Sequence, residues 1–106
     1  MNDNNRYEVI NFFDFYKDKL SDFNLYKFDD YLTNLGFIIA YRYDDNLADG
    51  WERIPMWVYK YDNDDLIHIY LDNNSLSWKL EFFWDNMRHA FCENFKNSND
   101  LLEFIN

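Results

Sequence analysis

The sequence predicts an α+β protein, an antiparallel sheet of about four strands packed against helices. Three observations carry that class. Residues 75–84 hold a two-residue alternation broken only at Phe83, with Leu76, Trp78, Leu80, Phe82 and Trp84 set against Ser75, Ser77, Lys79 and Glu81. Residues 6–20 step their apolar positions by three and four instead, through Val9, Phe12, Phe13, Tyr16 and Leu20. Gly36 follows a short apolar-periodic run and supplies a left-handed helix stop.

Each element then follows in order. The helix over 6–20 buries one stripe and carries Asp14, Asp18 and then Asp22 at four-residue spacing on its opposite side, with Lys17 and Lys19 placed to neutralise part of that column. Phe15 falls off the stripe. Phe23, Leu25, Tyr26 and Phe28 are expected to cover one end of the core. Asp29 reads as the N-cap of a short helix over 30–35 that ends at Gly36. Residues 37–43 alternate Phe37, Ile39, Tyr41 and Tyr43 against Ile38, Ala40 and Arg42, which predicts the first strand.

A polar loop with Asp44, Asp45 and Asp49 leads to a second strand over 51–61. Pro55, which cannot donate to a ladder, marks a strand start or an edge there. Asp62, Asn63, Asp64 and Asp65 form the next turn. The third strand, 66–72, is apolar on both faces and so is expected to be central. Asn73-Asn74 tolerates a left-handed backbone and suits a hairpin into the fourth strand, 75–84, where Phe83 alone breaks the alternation. Asp85 can cap a helix over 86–96 with Met87, Ala90, Phe91 and Phe95 as its buried stripe. Ser98 can cap a last helix over 99–105.

At 106 residues the chain has room for one domain, 1–106, with one core. Twenty acidic against ten basic residues give a net charge of −10 and a pI near 4.3. That balance disfavours direct contact with nucleic acid or anionic membrane, both of which attract Lys and Arg. It favours a basic partner, or solubility alone. Aromatic residues make up 23% of the chain, too many for disorder. One cysteine, Cys92, cannot form an internal disulfide and points to a reducing cytoplasm. No apolar run reaches the ~20 residues of a membrane-spanning helix, and Met1-Asn2-Asp3-Asn4-Asn5 does not read as a secretory leader.

Catalytic motifs fail. Two glycines, Gly36 and Gly50, cannot build a phosphate-cradling loop or a dinucleotide fingerprint. Calcium loops starting at Asp44 or Asp62 would need Gly at the positions held by Asp49 and Ile67, and Glu at those held by Pro55 and Asn73. Solvated turns explain those aspartates better. His89, Cys92 and His68 supply fewer than the four ligands zinc wants, so no metal and no cofactor are expected. Cys92 reads as a small core thiol under the last long helix.

Size, negative charge and aromatic excess together predict a non-enzymatic binding protein. It would inhibit a basic, nucleic-acid-binding partner by occupying its positively charged surface, because carboxylates offer Lys and Arg the charge and hydrogen-bond geometry of phosphates. Nucleic-acid mimics, including phage-encoded anti-restriction and anti-CRISPR proteins, share this character in composition alone. The residues expected to meet the partner are Asp14, Asp18 and Asp22, then Asp44, Asp45 and Asp49, and Asp62, Asp64 and Asp65. Two alternatives stand beside this reading: an immunity protein that neutralises a basic nuclease toxin, and a small ligand-binding domain or enzyme with an aromatic-lined pocket. A mimic should spread its carboxylates in an elongated stripe. An immunity protein should gather them in one compact patch around one or two aromatics.

Overall fold

The computed structural model describes residues 3–20, 23–44, 52–61, 65–72, 74–84 and 88–106. They form helix α1 (Asp3–Tyr16), helix α2 (Leu25–Leu35), strands β1 (Ile38–Asp44), β2 (Glu52–Tyr61), β3 (Asp65–Asp72), β4 (Ser77–Trp84) and β5 (Arg88–Phe95), and helix α3 (Ser98–Ile105). The strands make one antiparallel sheet in the order β1-β2-β3-β4-β5. The α+β class stands, with five strands where about four were expected.

The added strand is the largest departure from the sequence reading. Residues 86–96 were expected to be helical, yet Arg88–Phe95 pairs with β4. Two of their apolar positions satisfy both periods, since Phe91 and Phe95 are four apart and also lie on one face of a strand. Pairing settles the tie. It gives β4 a second neighbour for its backbone N–H and C=O groups, and it stacks Phe91 on Phe82 with ring centroids 5.3 Å apart and planes 9° from parallel. The register shifts between Phe82 and Phe83, so the ladder carries an irregularity at the residue where the β4 alternation breaks.

The register assigns each strand residue to a face. Ile39, Trp57, Ile69 and Leu80 are directly opposed across β1 to β4, as are Leu71, Trp78 and Phe95 across β3 to β5. This face meets the helices. Phe13 of α1 lies 5.8 Å from Trp57 and 5.7 Å from Trp78, centroid to centroid. Phe28 of α2 lies 4.9 and 4.8 Å from the same two rings. Phe23 closes the group at 5.0 Å from Trp78. Leu101 of α3 joins the same buried cluster. Trp57 is 0% exposed and Trp78 1%, so much of the aromatic excess is spent on the core. Each ring buries some 150–250 Å².

Helix α2 begins five residues earlier than expected, and its cap is Asn24, whose side chain accepts from the Lys27 N–H at 3.1 Å. Asp29 therefore sits inside the helix and is not its cap. Its carboxylate accepts from the indole Nε1–H of Trp57 at 2.9 Å, tying α2 to the sheet through the one polar atom of a buried ring. Gly36 ends α2 at φ 108°, as expected. The Phe37 N–H reaches the Leu32 carbonyl and the Gly36 N–H that of Thr33, both at 3.0 Å, which satisfies two orphan carbonyls of the last turn.

Helix α1 stops at Tyr16, four residues short of the expected end, and continues as a turn through Leu20. Its last turn holds no basic residue and carries Asp14, an unfavourable charge at the negative end of a helix dipole. Leu20 stays buried nonetheless, because the turn brings it back onto the cluster. Asn97, not Ser98, caps α3, its side chain accepting from the Asp100 N–H at 2.9 Å.

Two smaller expectations also shift. Pro55 lies within β2 opposite Tyr41, but the β2–β3 ladder begins only at Met56, so Pro55 sits where the strand has a single neighbour. Ser75 and Leu76 belong to the β3–β4 turn, and the left-handed residue there is Leu76, at φ 56°. Asn74 donates its N–H to the Asp72 carboxylate at 3.0 Å; Asn73 and Asp85 lie outside the described residues.

Candidate partner-binding surface

The acidic residues singled out from the sequence are separated by the meander. Asp44 is paired with Glu52 at one end of the β1–β2 ladder, and Asp65 is paired with Tyr61 at the far end of β2. Ten residues of β2 lie between those ends, a span of roughly 30 Å at ~3.3 Å per residue. Asp22, Asp45, Asp49, Asp62 and Asp64 lie outside the described residues.

Asp14 and Asp18 are exposed. The expected column through Asp14, Asp18 and Asp22 required a helix to Leu20 or beyond. Because α1 ends at Tyr16, four-residue spacing no longer places Asp18 above Asp14. The Asp14 carboxylate meets the Lys17 ammonium at 3.5 Å, with the two side chains 66% and 65% exposed. Lys19 lies over the rings of Phe15 and Tyr16, 5.5 and 6.0 Å from their centroids. Phe15 itself is 72% exposed.

Beside this end of α1, where Lys17 and Lys19 balance Asp14 and Asp18, opens a cavity of about 190 Å³. Its walls are apolar, from Ile10 and Phe13 of α1, then Leu20, Phe23 and Leu25. Its lip is polar and carries Asp14, Lys17 and Tyr26. Tyr26 is 55% exposed. The chain thus places exposed aromatics next to exposed carboxylates at the α1–α2 junction. Sequence spacing gave the carboxylates; the apolar cleft at Asp14 depends on where α1 stops, which the helical spacing through Leu20 did not indicate.

The other face of the sheet holds a second grouping that the sequence did not assemble. Val58, His68, Glu81 and Cys92 stand directly opposite one another across β2 to β5. The Tyr70 hydroxyl donates to Glu81, and the His68 ring lies 4.7 Å from Phe83. Lys79, one rung along, donates to the Asn94 side-chain carbonyl at 2.6 Å and lies 3.8 Å from Asp72. Cys92 is exposed on the β5 edge, not a core thiol beneath a helix. Desolvation by its neighbours on the sheet raises its pKa above the usual thiol range, and the negative charge of Glu81 raises it further. A thiol held protonated is a poor nucleophile at neutral pH. Among the described residues no three His, Cys, Asp or Glu side chains converge as metal ligands, and no helix is long and apolar enough to cross a membrane.

Comparison of the chain with known protein families, curated proteins and solved structures returns no match.

Proposed function

We propose that this chain is a non-enzymatic, cytoplasmic binding protein that inhibits a basic, nucleic-acid-binding partner by covering its positively charged surface. The observation that carries the reading is the junction of α1 and α2, where the exposed Asp14 and Tyr26 line one cleft and Phe15, next to Asp14 in the chain, stands 72% exposed. Carboxylates supply charge-assisted bonds to Lys and Arg, and exposed aromatics supply the apolar contact that anchors such interfaces. A net charge of −10 steers a basic partner toward the molecule over long range.

The compact grouping at α1–α2 equally suits an immunity protein that neutralises a basic nuclease toxin, so both readings share one electrostatic basis. The immobilised chain, incubated with lysate of its host at low salt, tests it. Retained proteins should be released by added duplex DNA and by raised salt, and should themselves bind nucleic acid. Retained proteins that DNA does not displace, or none retained at low salt, would overturn it.

A further inference from the structure

We propose that the free edge of β5 takes up an extended segment of a partner protein as an added strand, and that this segment carries a basic residue between two apolar ones. The edge shares no residue with the α1–α2 junction. β5 is the last strand of the sheet and pairs with β4 alone, so alternate backbone N–H and C=O groups along it point away from the sheet. Among the described residues, 91–95 make no main-chain hydrogen bond beyond the β4 ladder. Their register is unbroken, with Phe91 opposite Phe82, Glu93 opposite Leu80 and Phe95 opposite Trp78. Main-chain bonds to such an edge supply affinity, and the side chains beside it supply selection.

Three side chains on the helix-facing side set that selection. Phe91 is stacked on Phe82 and still 40% exposed. Phe95 is half-buried against the exposed Phe104 of α3, ring centroids 5.4 Å apart. Glu93 stands between them, exposed, and no hydrogen bond or ion pair among the described residues engages its carboxylate. Neither neighbouring lysine neutralises it. Lys79 projects from the opposite face and is held by Asn94 and Asp72. Lys96 lies past the end of β5 and forms no ion pair among the described residues. Helix α3, which packs on β4 and β5, adds the exposed Asp100 and Glu103 and no basic residue.

A carboxylate on the helix-facing side of an edge turns away an acidic or an apolar strand, which would cover the charge without pairing it. A strand with Lys or Arg directly opposite Glu93 pairs that charge, and apolar residues at the flanking same-face positions cover Phe91 and Phe95. A second copy of this chain is disfavoured, since each carries a net charge of −10 and symmetric pairing about Glu93 sets two carboxylates face to face.

The test follows backbone amide resonances of the full-length, isotope-labelled chain at low salt. Its probe is a capped heptapeptide in which threonine alternates with leucine, lysine and leucine, a palindrome that makes strand direction immaterial. Saturable shifts are expected at residues 91–95. N-methylating the threonine amides, or instead the leucine and lysine amides, should split the response: one pattern abolishes the shifts and the other spares them, because a paired strand turns only alternate amides to its neighbour. Glu93→Lys should weaken the peptide roughly 2- to 5-fold. Asp30→Lys, the same change of net charge at an exposed position of α2, should leave its affinity unchanged. Both variants are read only with an amide spectrum that retains the parent fold.

No shifts, shifts confined to other residues, equal effects of the two methylation patterns, or equal effects of Glu93→Lys and Asp30→Lys would overturn the added strand. Shifts at 91–95 that follow protein concentration without peptide would assign the edge to a second copy and overturn it as well. None of these outcomes bears on the inhibition of a basic partner through the α1–α2 junction, which release by duplex DNA decides separately.

Discussion

Asp29→Ala separates the role this residue has in the structure from the role its sequence position suggests. As an N-cap, Asp29 would serve the helix locally; as found, it accepts the indole N–H of Trp57 at 2.9 Å, and Trp57 is fully buried. Removing the carboxylate strands a buried donor, which costs about 1–3 kcal/mol. Alanine in a helix interior returns about 0.5 kcal/mol through propensity. The net loss is then roughly 0.5–2.5 kcal/mol, and near its middle it lowers Tm by on the order of 5–10 °C for a chain of this size.

Asp30→Ala is the matched control, one residue along the same helix, exposed, and removing the same charge. It should stay within about 0.5 kcal/mol of the parent. Urea unfolding followed by far-ultraviolet circular dichroism measures both. A double-mutant cycle with Trp57→Phe then isolates the contact, for which a coupling of about 0.5–3 kcal/mol is expected between directly bonded residues. Asn24→Ala, at the true cap, should cost about 1 kcal/mol and should not couple to Trp57. Equal stability of Asp29→Ala and Asp30→Ala, or additivity of Asp29→Ala with Trp57→Phe, would refute the assignment.

Two further outcomes follow from the geometry. Gly36→Ala should destabilise by about 1–2 kcal/mol, because Gly36 sits at φ 108° and an added Cβ would lie 3.0 Å from Cε2 of Tyr59; thermal unfolding reads this, and a neutral result would contradict the left-handed stop. Cys92, though exposed, should alkylate with iodoacetamide more slowly at pH 8 in the native chain than in urea, and Glu81→Gln should speed the native reaction, because burial first and Glu81 second raise its pKa. The sign follows from linkage: a folded pKa above the ordinary 9.0 contributes stability at lower pH that is lost as pH rises through the folded value.

What could be read from the sequence, and what could not, divides by whether one period or two fits a segment. Trp78, Leu80 and Phe82 sit on one face under strand spacing only, and β4 lies where the alternation puts it, with its first residue moved from Ser75 to Ser77 by the Leu76 turn. Val9, Phe13 and Tyr16 fit helical spacing only, and all three are buried in α1. Phe91 and Phe95 fit both. Local spacing therefore cannot choose for residues 86–96, and the choice falls to β4, whose second edge β5 satisfies.

The same logic bounds the candidate surface. A four-residue spacing of aspartates means a common face only while the backbone stays helical, so Asp14 and Asp18 part company at Tyr16, where α1 ends. Asp44 and Asp65 lie 21 positions apart in the chain yet fall at opposite ends of β2, because each sits beside a reversal of direction in the meander. Charge is legible from composition, but its placement is a property of where helices stop and strands turn. At the α1–α2 junction that placement brings Asp14 to the lip of an apolar cleft beside Tyr26, a juxtaposition of residues 12 positions apart that neither period encodes. The early end of α1 thus dissolves the acidic column, and the turn that follows it carries Leu20 back to the core and shapes the wall of the cleft.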